Sequence, residues 1–239
     1  MNKKEENIFL VSPYYNKDHL DRYNDYYKNN PNYTIDEIVL YVEIGLDKEF
    51  YTNITELKDY KSIITIVNKY NKLPENYSFD DLVTIDKPYS NDGKKLIRKV
   101  AYDSLIEMIN EAKKDDIDLI VISSYRTNEY QDNLFYNSIK NNGLKHALMY
   151  SAKKGHSEHQ LGLAIDLNTV EDNFQYTKEY KWLKDNSYKY GFIERYPKNK
   201  EFITGYGYEP WHYRYLGKDI SIIIHNDNIT FEEYLVKYS

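Results

Sequence analysis

The 239-residue chain contains no cysteine, which removes thiolate metal ligands, a cysteine nucleophile and a disulfide framework together. Any metal site must therefore be built from His, Asp or Glu. No apolar run approaches the roughly 20 residues that a bilayer span requires, and Met1 to Glu6 lead into a polar stretch without a signal-peptide core. Positive charge is not in excess either: 32 Lys and Arg stand against 38 Asp and Glu, a formal net charge of -6. With both signs interspersed there is no basic stripe for a phosphate backbone, and nucleic acid is not an expected partner. Internal repeats and low-complexity linkers are also lacking. What is abundant is tyrosine, 28 residues, alongside Asn, Lys and Ile. This reads mainly as codon usage, although tyrosine also suits a cleft that contacts sugars or peptides.

The length allows one large domain, or a catalytic domain with a smaller N-terminal addition, and either can bury a core without covalent staples. From Asn16 to Asn29, Leu20, Tyr23 and Tyr27 recur at spacings of three and four, predicting a helix that stops before Pro31. Thr34 and Glu37 form a capping box for a second helix whose apolar face is Ile35, Ile38, Val39 and Val42. Residues 1–60 are thus expected to be a helical extension, ahead of a main domain at 61–239. Ser62 to Val67 is rich in β-branched residues and predicts a short strand, followed by a surface loop.

Leu96, Ile97, Val100, Leu105, Ile106, Met108 and Ile109 recur with helical period and predict a helix from Gly93 to Lys114. Ile117 to Ile122 reads as a buried strand that delivers Ser123, Ser124, Tyr125 and Arg126 at its end. A helix is expected from Thr127 to Asn141, closing at Gly143, and another from Tyr176 to Tyr190, ended by Gly191. Leu163 to Leu167 and Trp211 to Tyr215 are further strands, and terminal helices surround Ile220 to Ile224 and Phe231 to Val236. Helices and strands intermix without a regular βαβ repeat, which favours an α+β fold: a small antiparallel sheet flanked by helices.

Chemistry concentrates in two stretches, 155–168 and 207–217. They supply His159, His212 and Asp166, a three-ligand set suited to zinc with one coordination position left open for water. Glu209, three residues before His212, is placed to handle that water's proton. His156 is a rival imidazole three residues before His159. Tyr125 and Trp211 are expected to pack beside the site, Glu171 and Asp172 to be solvated loop charges, and His19, His146 and His225 to be surface or packing residues.

Four ordered motifs carry a resemblance. They are Ser123-Ser124-Tyr125-Arg126-Thr127 with Gln131 five residues beyond Arg126, the run from Ser157 to Leu167 containing His159 and Asp166, Gly191-Phe192-Ile193-Glu194-Arg195-Tyr196-Pro197, and Tyr208 to Gly217 containing Glu209 and His212. The chain between about Asn68 and Gly217 resembles the VanY-type D-alanyl-D-alanine carboxypeptidases, zinc peptidases of bacterial peptidoglycan. The resemblance implies one zinc ion held by His159, Asp166 and His212, with Glu209 as base and Arg126 meeting negative charge on the scissile carbonyl oxygen. A carboxypeptidase must also hold a terminal carboxylate, for which Ser157 and Gln131 are the candidates.

The expected activity is removal of the C-terminal D-alanine from peptidoglycan stem peptides by metal-activated water. An L,D-carboxypeptidase or endopeptidase on peptidoglycan, and a non-catalytic wall-binding domain, are the alternatives. A monomer is expected, acting outside the cytoplasm, secreted or anchored through a segment beyond this chain.

Overall fold

The computed structural model describes residues 7–238. After two 3-10 turns, at Ile8–Val11 and Lys17–His19, come α1 (Leu20–Asn29) and α2 (Ile35–Ile44). The second begins as its sequence directs: the Thr34 hydroxyl accepts from the Glu37 backbone N–H, the Glu37 carboxylate accepts from the Thr34 N–H at 2.8 Å, and Gly45 ends the helix in the left-handed region. Phe9, Tyr23, Ile38, Val39 and Val42 form a small core of their own. Leu40 and Tyr41 belong to a second cluster, with Ile203.

The stretch 62–67 is not a strand. Short parallel strands form on either side of it instead, β1 (Thr55–Glu56) and β2 (Asn71–Lys72). The physical reason lies far along the chain. The carbonyls of Ile63 and Thr65 accept from the guanidinium of Arg214 at 2.8 and 2.9 Å, while Val67 and Ile63 pack into the main core. Its backbone therefore solvates a buried cation rather than joining a ladder.

The helix expected from Gly93 starts later. Residues before it form an antiparallel hairpin, β3 (Leu82–Ile85) with β4 (Lys95–Arg98), in which Val83 faces Ile97 and Thr84 faces Leu96. Helix α3 (Lys99–Lys114) follows, and its apolar stripe of Ala101, Leu105, Met108, Ile109 and Ala112 is buried.

Next come β5 (Val121–Ser123), α4 (Asn128–Asn142), α5 (Leu144–Tyr150), β6 (Ala164–Leu167), α6 (Lys178–Asn186), β7 (Phe192–Glu194), α7 (Glu201–Thr204), β8 (His212–Tyr215), α8 (Lys218–Asp227) and α9 (Phe231–Tyr238). Thr127 caps α4 and Gly143 stops it. The expected 176–190 helix divides into α6 and a 3-10 turn at Ser187–Tyr190, closed by Gly191.

The main sheet has the order β5-β6-β8-β7 with every pair antiparallel, so the α+β expectation holds. Period-2 alternation splits its central strands. Ile165, Leu167, Tyr213 and Tyr215 enter the core with α3, which leaves Asp166, His212 and Arg214 on the other face. The register sets Asp166 directly opposite His212 and Ala164 opposite Arg214.

Candidate metal centre

His159 reaches this face from outside the sheet. It lies in a 3-10 turn at Glu158–Leu161, where the His159 N–H donates to the Ser157 hydroxyl, and Gly162 at φ 67° turns the chain into β6. That turn folds the seven-residue spacing back so that His159 Nε2 lies 3.3 Å from Asp166 Oδ2, while His212 Nδ1 lies 3.3 Å from Asp166 Oδ1. One ligand atom from each of the three residues falls within 4.8 Å of the others, and all three residues are buried.

Groups on the far side of each ring bear on which nitrogen faces Asp166. His159 Nδ1 donates to the Ser124 carbonyl at 2.8 Å, leaving Nε2 with its lone pair toward Asp166. His212 Nε2 faces Glu158 Oε2 at 3.9 Å and its Nδ1 points at Asp166.

A cation fits this set. Asp166 Oδ1 is buried with no hydrogen-bond partner, and ligand atoms about 3.3 Å apart are what a tetrahedral ion with bonds of about 2 Å requires. Two imidazoles and a carboxylate, with no thiolate, suit zinc.

The electrostatics agree. Burial by itself would raise the Asp166 pKa, yet His159, His212 and Arg126 hold it well below the usual carboxylate range. Burial, aided by Arg126, lowers His159 to about 4, so its ring is neutral and able to ligate. His212 is raised to about 9 because Asp166 and Glu158 outweigh its burial. Its Nδ1 proton is the one a divalent ion would displace. Burial raises Glu209 to about 7, with Asp166 adding to the effect and His212 and Arg126 opposing it.

Glu209 Oε2 stands 3.5 Å from His212 Nδ1, at the edge of the triad. Arg126 is brought to the site by the end of β5, where a register shift between Val121 and Ser123 interrupts the pairing with β6. Its Nη2 donates to Asp166 Oδ2 at 2.8 Å and to Ser123 Oγ at 2.8 Å, and its Nη1 to Gln131 Oε1 at 3.4 Å. Gln131 in turn donates to the Ala152 carbonyl at 2.8 Å.

All seven expected site residues, His159, Asp166, His212, Glu209, Arg126, Ser157 and Gln131, line one cavity of about 680 Å³. Trp211 lines it too and is buried. His156 stands apart, its Nδ1 paired with the Asn68 carbonyl at 2.8 Å. Three residues expected to be uninvolved, His146, Glu171 and Asp172, line the same cavity, because α5 and the loop after β6 form its walls. Tyr150 and Tyr206 also line it; nothing in the local sequence distinguishes them from the other tyrosines.

A three-ligand metal centre with a neighbouring carboxylate, on one face of a four-stranded antiparallel sheet, defines a metallopeptidase-like hydrolase. The family model described as VanY, D-alanyl-D-alanine carboxypeptidase, matches residues 94–218, and the chain belongs to this family. It is 39% identical over 210 residues to the putative carboxypeptidase YodJ of Bacillus subtilis, covering 82% of this chain and 77% of that protein. Among solved structures it is similar to the LdcB LD-carboxypeptidase, at 39% identity and a TM-score of 0.73 over 80% of this chain and 94% of that one. It is also similar to the vancomycin-resistance D,D-pentapeptidase VanY in complex with Zn(II), at 34% identity and a TM-score of 0.64 over 74% of this chain and 99% of that one. Family and triad together make the chain a metallocarboxypeptidase.

Proposed function

We propose that the protein is a zinc-dependent D,D-carboxypeptidase that releases the C-terminal D-alanine of peptidoglycan stem peptides. The observation that carries this is the convergence of His159, Asp166 and His212 beside Glu209 on the floor of an open cavity. A single zinc ion bound there would acidify a water and polarise the scissile carbonyl.

This chain's own residues supply the rest. Glu209, buried and raised toward neutrality, accepts the proton of the attacking water and returns it to the departing amine. Arg126 holds Asp166 in place and presents fixed positive charge to the cavity, where negative charge grows on the carbonyl oxygen. Ser157 and Gln131 border the space in which a terminal carboxylate would be held. The enzyme acts outside the cytoplasmic membrane, where its polymer lies.

A second reading concerns the bond cut. Similarity to the LD-carboxypeptidase LdcB covers more of the chain, with a higher TM-score, than similarity to the D,D-pentapeptidase. This supports cleavage after an L-centre in a tetrapeptide. Assay of pentapeptide and tetrapeptide stems side by side separates the two, and a preference for the tetrapeptide would replace the D,D assignment.

The roles are tested by metal analysis of wild type beside Glu209→Ala. We expect one zinc per chain in both proteins and a loss of D-alanine release of about two to four orders of magnitude in the variant. Loss of the ion from the variant would make Glu209 a ligand instead of a base. A zinc-loaded wild type that releases nothing from any stem peptide, yet sediments with cell walls, would identify a binding domain.

A further inference from the structure

Behind His212, on the side away from the proposed zinc, lies a closed group of four charges. Glu158, Arg195 and Arg214 have fully buried side chains, and that of Glu232 is 3% exposed. Glu158 Oε1 accepts from Arg195 Nε at 2.8 Å and lies 2.9 Å from Arg214 Nη1. Arg195 turns its outer edge to Glu232, donating from Nη1 at 2.9 Å and from Nη2 at 2.6 Å. Arg214 directs Nη2 to the Ile63 and Thr65 carbonyls and Nε to the Tyr215 carbonyl. Both guanidinium contacts thus fall on one oxygen of Glu158. The other oxygen, Oε2, has no hydrogen-bond partner, and neither has His212 Nε2, which faces it at 3.9 Å.

We infer that Glu232, on the C-terminal helix α9, is a positioning residue of the metal centre. It acts through Arg195 to keep Glu158 Oε2 available to His212. The inference rests on the reading of the triad as a zinc site.

Two arguments lead there. The first is geometric. A guanidinium prefers to grip a carboxylate with two parallel N–H groups, and Arg195 would do so with both oxygens of Glu158 if its Nη1 and Nη2 were not already taken by Glu232. Glu158 Oε2 would then turn from the imidazole, and His212 Nε2 would no longer face the carboxylate oxygen whose charge favours a proton on that nitrogen and so leaves Nδ1 toward the metal.

The second is charge. Two carboxylates and two guanidinium groups balance. Without Glu232 one uncompensated positive charge would remain buried behind a ligand of a divalent cation, which disfavours binding of that cation. The same helix adds Phe231, whose ring lies 5.6 Å from the Arg195 guanidinium and 5.5 Å from that of Arg214. Glu232 lies beyond residue 218, where the match to the family model ends, so this support belongs to a part of the chain outside the matched catalytic region.

The test is zinc affinity of the intact protein, measured by competition with a chromophoric chelator without any peptide. Glu232→Gln keeps the shape and removes the charge. We expect its zinc dissociation constant to rise about tenfold or more, the rise in melting temperature on adding zinc to shrink, and Glu232→Asp to recover part of the affinity. Affinity within twofold of wild type would overturn the inference. So would an equal drop in melting temperature with and without zinc, since that is the mark of a purely structural ion pair. If Glu232→Gln does not fold, Glu232→Asp carries the test, and wild-type affinity in it would be equally fatal. Because no substrate enters the measurement, a wild type that binds zinc but releases no D-alanine would sink the carboxypeptidase assignment while leaving this inference standing.

Discussion

Gly162 stands between the imidazole and the carboxylate of the triad at φ 67°, and a methyl group there would lie 3.0 Å from Arg98 Cγ and 3.1 Å from Leu82 Cδ2. Arg98 cannot easily yield: its Nε donates to Asp81 and its Nη1 to the Lys61 carbonyl at 2.8 Å. Gly162→Ala therefore meets both left-handed strain, about 1–2 kcal/mol, and a pinned neighbour. Urea unfolding of the metal-free variant should show at least that loss. Relief of the strain would move the turn bearing His159 relative to Asp166, so kcat/KM should fall on the order of ten- to a hundredfold. Wild-type kinetics in a destabilised variant would show that the turn serves stability alone.

Among the elements, Lys69 links the ends of α5, which walls the cavity, and α7. Its ammonium is buried, donates to the Leu148 carbonyl at 2.6 Å and to the Gly205 carbonyl, and lies 4.6 Å from the centre of the Tyr206 ring. A cation there suits the carbonyl ends of α5 and α7. Lys69→Met leaves both carbonyls without that donor and should destabilise the protein by about 1–3 kcal/mol at neutral pH. Burial lowers the lysine to about 8, whereas an unfolded lysine titrates near 10.4. Between those values the unfolded chain binds more protons than the folded one, so the net stabilisation from Lys69 is at its lower level below about pH 8 and rises as the pH climbs toward 10.4. The stability gap between wild type and Lys69→Met, measured by urea unfolding, should widen from pH 8 to pH 10. A gap that narrows would mean the ammonium is stabilised in place.

Elements with local signals were legible from sequence: the capping box of α2, the Gly143 stop of α4, and the glycine after the 187–190 turn. Those decided at long range were not. Leu96 and Ile97 fit a helical period, but pairing with Thr84 and Val83 makes them a strand. The β-branched 62–67 stretch yields its carbonyls to Arg214, some 150 positions away. The triad was visible because its motifs hold donor types that zinc chemistry needs. Glu158, Arg195, Arg214 and Glu232 were not assigned roles, since an isolated charge in a sequence reads as solvated until burial shows otherwise.

At the scale of the whole molecule, the sequence predicts a helical extension at 1–60 ahead of a main domain, two parts that would unfold either separately or together. The extension has its own core of Phe9, Tyr23, Ile38, Val39 and Val42, small for independent stability at such a length. It is also tied to the rest: Leu40 and Tyr41 pack with Ile203 and Val236, and the Tyr41 ring meets Phe202 edge-on at 5.5 Å. Through α9, which bears both Val236 and Glu232, the extension leans on the same helix that backs the metal centre. We therefore propose one cooperative unit, and chelation tests it. A ligand that binds only the folded state stabilises by RT ln(1 + [L]/Kd), about 4 kcal/mol at a thousandfold excess over Kd, and that energy is shared by everything that unfolds together. Calorimetry of zinc-loaded and chelator-treated protein should give a single transition in each case, moved to lower temperature as a whole by chelation and restored by added zinc. Two transitions, of which only one follows the metal, would show that the extension folds alone and that its contacts with Ile203 and α9 are too weak to couple it to the site.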